Sequence, residues 1–254
     1  MNRRLVPVPA LLVTALVTAL VTGLAAPAAN ADDTRPMVTV ASGQNLPPLA
    51  ATTTYDAGPG FAADINAYQA SGRFAKDRAA VVAKASDFLR SWLREECADR
   101  ATCKPAIVFD IDDTLLSSWP YERAQDPPLS VHPDTWSAFV ASCGYEPIAP
   151  TINLLNDLRR RGVYVAVISG GSDAIATAFT SCLTRNGVQG WDQATFRPAS
   201  AAGMTAAQFK VRARMALEKK GYAIIASIGD QVSDMSWGHL ERGFLLPNVM
   251  AHLA

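Results

Sequence analysis

The sequence predicts an α/β fold: a doubly wound, Rossmann-like parallel sheet with flanking helices, an N-terminal helical segment and only a small cap. Three observations predict it. The runs "AIVFD" (106–110), "YVAVIS" (164–169) and "AIIASIG" (223–229) are apolar almost throughout, as parallel strands covered on both faces are. Segments of helical period separate them, which implies right-handed crossovers. Each run then stops at a polar cluster: "DIDDT", "SGGSD" or "GDQVSD". In such sheets a ligand site lies beyond the carboxyl ends of the strands.

The chain opens with Arg3 and Arg4, an apolar run from Leu11 to Ala26, and Ala29-Asn30-Ala31, with no acidic residue before Asp32. Residues 1–31 therefore read as a secretory signal peptide cleaved near Ala31, which makes the protein secreted (extracellular). Threonines and prolines in the run argue against a stable membrane anchor. Residues 32–60, rich in Pro, Thr, Ala and Gly, read as an extended or disordered lead-in. The folded domain is expected over 61–254, N-terminal helices included.

Helical period starts in "FAADINAYQASG" (61–72). It strengthens from Arg73 to Glu96, where Val81, Ala85, Phe88, Leu89, Trp92 and Leu93 make one amphipathic face. That face reads as a docking surface on the core, with no chemistry of its own. Further on, "TINLLNDLRRRG" (151–162), "SDAIATAFTSCLTRNG" (172–187) and "TAAQFKVRARMALEKKG" (205–221) are helices that close at a glycine. "ATFRP" and "GFLLP" are weaker strand candidates.

Lysine plus arginine and aspartate plus glutamate stand at 23 each, and losing Arg3 and Arg4 with the leader leaves a slight acidic excess. Nothing there favours a nucleic-acid polymer or a membrane surface as partner. Cys97, Cys103, Cys143 and Cys182 fit two disulfides of an oxidising compartment, and three pairings are open. Joining Cys97 to Cys103 would close a short loop ahead of the first strand and leave Cys143 with Cys182. No CxxC pair or nearby histidine supports a zinc site.

Clustered aspartates at a strand end repel one another and need a positive partner. A hard cation with oxygen ligands answers that need, and magnesium is preferred because no histidine or cysteine joins the set. Magnesium held by a few carboxylates usually shares substrate phosphate. Ser169, the backbone N–H groups of the glycines after it, Gly170 among them, and Lys210 near a helix start would hold that phosphate. Asp110 could then attack phosphorus, with Asp112 protonating the leaving alcohol and later activating water.

"DIDDT", the serine ending the second strand, the lysine, and "GDxxxD" together resemble the four motifs of the haloacid dehalogenase superfamily. "FDIDDTLLSSWPY", "GYAIIASIGDQVSD" and "GFLLPN" are similar to its secreted acid phosphatase branch, which includes bacterial class B and class C enzymes and plant vegetative storage proteins. The resemblance covers roughly residues 75–250. It implies that Asp110 is the nucleophile and Asp112 the acid/base, with Thr114 ordering the loop. It implies Ser169 and Lys210 as the phosphate-binding pair. Mg2+ would be held by Asp110, the backbone carbonyl of Asp112, Asp230, and Asp234 directly or through water. Many relatives carry arginine where this chain has Gly171.

The expected function is a secreted Mg2+-dependent acid phosphatase acting on small phosphomonoesters. A phosphate-binding or storage protein of the same fold, and a phosphotransferase, are the alternatives. The stretch between Ser169 and Lys210 is filled by a helix and a short strand, so no second-motif cap fits. Residues 117–150 leave room only for a small element around "PDTWSAFVAS". Trp119, Tyr121 and Trp136 are placed either to stack on a leaving group or to pack at the rim. An EF-hand reading fails, because Leu115 and Tyr121 stand where that loop needs Gly and Glu. Asp113 is expected only to order its loop, and Ser172 and Asp173 to cap the following helix.

Overall fold

The computed structural model describes residues 58–125 and 132–250, so the stretch expected to be a signal peptide and most of the expected lead-in lie outside the described residues. Helix α1 (Gly58–Ala70) opens inside the stretch expected to be lead-in, and α2 (Arg73–Glu95) follows. After α3 (Arg100–Cys103), β1 (Pro105–Phe109) enters the core with all five residues buried. The next segment carries β2 (Leu116–Ser117), α4 (Trp119–Glu122), α5 (Pro133–Ser142) and β3 (Glu146–Pro147). Then come α6 (Ala149–Arg160), β4 (Tyr164–Ser172), α7 (Ala176–Arg185), β5 (Gln193–Arg197), α8 (Ala206–Lys219), β6 (Ala223–Gly229) and β7 (Arg242–Leu245).

The five long strands form one parallel sheet in the order β5-β4-β1-β6-β7. Successive strands run outward from β1 on one side, then cross to the other. The switch point therefore lies beside the carboxyl end of β1, where such folds place a ligand. Alternation along β1 splits the core. Ile107 and Phe109 face a cluster with Leu89 of α2, Leu155 of α6 and Phe179 of α7. Ala106 and Val108 face Phe209, Ala213 and Leu217 of α8. Helices cover both faces, as the continuous apolar strands required. Each fully buried Leu, Ile or Phe stabilises this core by about 1.5–3 kcal/mol.

The two weak strand candidates are the edge strands β5 and β7. Edges are covered on fewer sides, so every residue of β5 is only half-buried and its sequence needs less apolar character. Helix α8 starts from a complete capping box, with Thr205 accepting from Gln208 N and Gln208 accepting from Thr205 N. Two disulfides join Cys97 to Cys103 and Cys143 to Cys182, with Cα atoms 5.7 and 5.3 Å apart. The second ties the end of α5 to α7.

The cap is small. β2 and β3 pair antiparallel at its base, and α5 packs against α7. Between Ser169 and Lys210 there are only α7, β5 and short 3-10 turns, so nothing is inserted there. None of the described helices is long and apolar enough to cross a membrane.

Candidate active site

The strand-end residues converge as the fold predicts. Asp110 follows β1 directly and its N–H donates to Ile228 O across the sheet at 3.0 Å. Lys210, in the second turn of α8, reaches over the edge and donates to Asp110 Oδ1 at 2.9 Å and to Asp234 Oδ1. Carboxylate oxygens of Asp110, Asp230 and Asp234 all lie within 4.8 Å of one another. All three aspartates and Lys210 are buried. Asp112 is only half-buried, and its carboxylate stands outside that triad.

Each carboxylate is held by neighbours. Thr114 Oγ1 donates to Asp230 Oδ1 at 3.2 Å, while Asn248 Nδ2 and Gln231 Nε2 donate to Asp230 Oδ2 at 2.7 and 3.0 Å. Gln231 N donates to Asp234 Oδ2 at 2.9 Å. A Cβ on Gly229 would fall on the Asp234 carboxylate, so glycine there lets Asp234 lie against the strand end. Fully buried Arg214, one turn beyond Lys210, donates to the carbonyls of Asp234, Ser236 and Gly238. It thereby fixes the loop that carries Asp230 and Asp234. Asp113 has a left-handed φ of 51° and accepts from Ser118 N at 3.1 Å and Ser118 Oγ at 2.5 Å. Its part is to order the loop.

Burial sets the charge state of this cluster. It pushes Asp110 up to about 6, against the pull of Lys210. Burial and then the Asp110 charge push Asp112 up to about 7. Asp230 and Asp234 are raised by burial too, Asp230 further by its neighbour Asp234. Burial alone would lower the Lys210 ammonium, but Asp110 and Asp234 more than reverse this and keep it charged. One lysine among three buried carboxylates leaves room for a further positive group. Oxygen donors alone fit a hard divalent cation.

Ser169 ends the regular part of β4, fully buried, and its Oγ accepts from Gly171 N at 3.0 Å. That bond leaves the hydroxyl hydrogen of Ser169 to be donated elsewhere. Gly170 is exposed, with open space where a Cβ would project. At Gly171 a Cβ would stand 2.6 Å from the Phe179 ring and 3.2 Å from Ser169 Oγ. An arginine there would have to displace the Phe179 ring. Ser172 Oγ accepts from Ala174 N, which caps a 3-10 turn; α7 itself begins only at Ala176.

Two of the rim aromatics, Tyr121 and Trp136, pack on each other. Tyr121 meets Trp136 edge-on at 5.0 Å, and its hydroxyl lies 2.8 Å from Thr135 Oγ1 and donates to His132 O at 3.1 Å. Trp119 rests against the cluster of Ile65, Phe74, Val249 and Met250. Four residues of the site were not singled out from sequence: Tyr145, whose hydroxyl donates to Asp112 Oδ1, and Arg78, Arg214 and Asn248. Arg78 had a signal, as a cation on the stripe Phe74, Val82, Ala85, Leu89 and Leu93 that α2 buries. Asn248 had one in the closing "GFLLPN".

A doubly wound sheet with this lysine-bridged aspartate cluster at its switch point has the architecture of the haloacid dehalogenase class. Residues 49–253 match the HAD superfamily, subfamily IIIB (acid phosphatase), and the chain belongs to that family. It is 28% identical to acid phosphatase 1 of Solanum lycopersicum over 148 residues, 58% of each chain. It is 30% identical to vegetative storage protein 1 of Arabidopsis thaliana over 148 residues, 58% of this chain and 54% of that one. The chain thus spans under three-fifths of the length of these curated relatives. The class C acid phosphatase from Bacillus anthracis shares the fold, with a TM-score of 0.59 at 19% identity over 76% of this chain and 85% of that one.

Proposed function

We propose that the protein is an exported, Mg2+-dependent acid phosphatase that hydrolyses small phosphomonoesters through an aspartyl-phosphate on Asp110. The observation that carries this reading is the buried triad of Asp110, Asp230 and Asp234, with Lys210 bridging two of its members. Asp110, Asp230 and Asp234 would hold the metal, together with the Asp112 backbone carbonyl. The ion would offset charge on the attacking carboxylate and on the phosphoryl oxygens.

The chain's own groups supply the rest. Lys210 and the Ser169 hydroxyl bind phosphoryl oxygens, with the Gly170–Gly171 backbone beside them. Asp110 attacks phosphorus as the ester oxygen departs. Asp112, raised to about 7, carries a proton at acid pH and gives it to that oxygen. The alcohol leaves, and Asp112 takes a proton from the water that cleaves the aspartyl-phosphate. Export is supported by the residue 1–31 pattern and the two disulfides.

Similarity to a vegetative storage protein supports a second reading, a phosphate-binding protein without turnover. Retention of Asp110, Asp112, Lys210 and Asp230 in one site favours catalysis. The test is hydrolysis of 4-nitrophenyl phosphate with Mg2+, with chelator, and by Asp110→Asn. Turnover should require both the metal and Asp110. A folded protein that binds phosphate without turnover supports the storage reading, and partition of product into an added alcohol would mark a phosphotransferase.

A further inference from the structure

Tyr145 enters the site from the far end of the cap. Its hydroxyl donates to Asp112 Oδ1 at 2.5 Å, and no other hydrogen bond reaches the Asp112 side chain among the described residues. The tyrosine is buried, 5% exposed. Phe139 packs on the ring with centroids 4.6 Å apart, Trp136 meets it edge-on at 6.0 Å, and Phe179 lies at 6.4 Å.

The backbone is tied on both sides of this ring. Cys143, two residues earlier, is bonded to Cys182 of α7. Glu146, the next residue, pairs with Ser117 in the ladder that closes the cap. A side chain held by packing and by anchored backbone sets the geometry of what it bonds. Asp112 needs such a partner, because it is the half-buried member of the aspartate group and stands apart from the lysine-bridged triad.

We propose that Tyr145 is the positioning residue for Asp112, taking Oδ1 so that Oδ2 is presented to the leaving group. This rests on the reading of Asp112 as general acid. In the first half-reaction a bond forms between Asp110 and phosphorus as the bond from phosphorus to the ester oxygen breaks. The proton passes from Asp112 Oδ2 to that oxygen, giving a neutral alcohol and a carboxylate. In the second, water attacks phosphorus, its proton returns to Asp112, and Asp110 leaves with its electron pair. Tyr145 keeps its own proton throughout. It also makes the cap part of the catalytic apparatus, since α5 supplies the aromatic wall behind the ring.

Leaving groups separate this role from packing. An alkoxide needs the proton and a nitrophenolate hardly does, so kcat/KM should be compared for an alkyl phosphate and for 4-nitrophenyl phosphate. Tyr145→Phe keeps the ring and its contacts, so its thermal midpoint should stay close to that of the parent. We expect it to lower kcat/KM about tenfold or more on the alkyl ester and less than about threefold on the aryl ester, part of the whole effect of a general acid. Asp112→Asn should show the same selectivity, more deeply. Equal losses on both substrates in Tyr145→Phe, or none on either while Asp112→Asn is selective, would overturn the positioning role alone. An Asp112→Asn variant without selectivity would remove the general-acid reading, and the role of Tyr145 with it.

Discussion

Lys210 Nζ stands 2.9 Å from Asp110 Oδ1 and also in contact with Asp234 Oδ1, with all three side chains buried. One ammonium satisfies one negative charge. The second carboxylate, and Asp230 beside it, leave negative charge that protons, a metal or a further cation must offset.

That balance predicts a pH dependence whose sign follows from the carboxylates. An unperturbed aspartate titrates near 3.8, whereas burial raises Asp110 to about 6 and Asp112 to about 7. Between these values the folded state binds more protons than the unfolded chain, so stability of the metal-free protein falls as pH rises from about 4 to about 7. A divalent cation competes with the proton on Asp110 and needs that carboxylate ionised. In chelator the thermal midpoint should therefore drop across that interval, and the gain on adding Mg2+ should be larger at its upper end. A metal-free midpoint that rises over the same range would mean that the cluster is already compensated by protein groups.

Gly171 predicts a packing penalty where the resemblance would have allowed a larger residue. A methyl there would stand 2.6 Å from the ring of fully buried Phe179. Overfilling a packed core costs about 1–3 kcal/mol, so Gly171→Ala should lose that much stability. Phe179→Leu should relieve the clash. The double variant should then be more stable than the two single losses predict by about 1 kcal/mol, which denaturant unfolding of all four proteins measures. Strict additivity would place the strain elsewhere.

How much of this could be read beforehand depended on the range of the interaction. β1, β4 and β6 were legible because both faces are buried, which leaves apolar runs such as "AIVFD". Their polar ends marked Asp110, Ser169 and Asp230 through topology alone. β2 and β3 have two residues each, too few for a period to show. Tyr145 was illegible for a different reason. Its meaning lies in a bond to a residue 33 positions away, and "CGYEP" has no local feature that requires it. Arg214 shares the face of α8 with Lys210, yet only the folded loop at 234–238 gives its guanidinium a purpose.

Arg78 carries the last prediction. It is 8% exposed, its guanidinium lies 4.1 Å above the Phe74 ring, and its Nε and Nη1 have no hydrogen-bond partner among the described residues. Burial lowers its pKa, while the charges of Asp113 and then Asp230 work to raise it. The guanidinium therefore acts on the acidic cluster as a fixed positive charge without occupying a ligand position. Such a charge supports the metal-free carboxylates and repels an arriving cation. Arg78→Met keeps a chain of similar length over Phe74 and removes the charge. The metal-free variant should be less stable than the parent, because a buried negative charge has lost its counterpart. Mg2+ should bind it more tightly, about fivefold or more, because a unit positive charge that repels the arriving cation has been removed. Calorimetric titration of Mg2+ into both proteins measures the difference. Weaker binding by Arg78→Met would show instead that the guanidinium holds Asp113 or Asp230 in place, and that its geometry outweighs its charge.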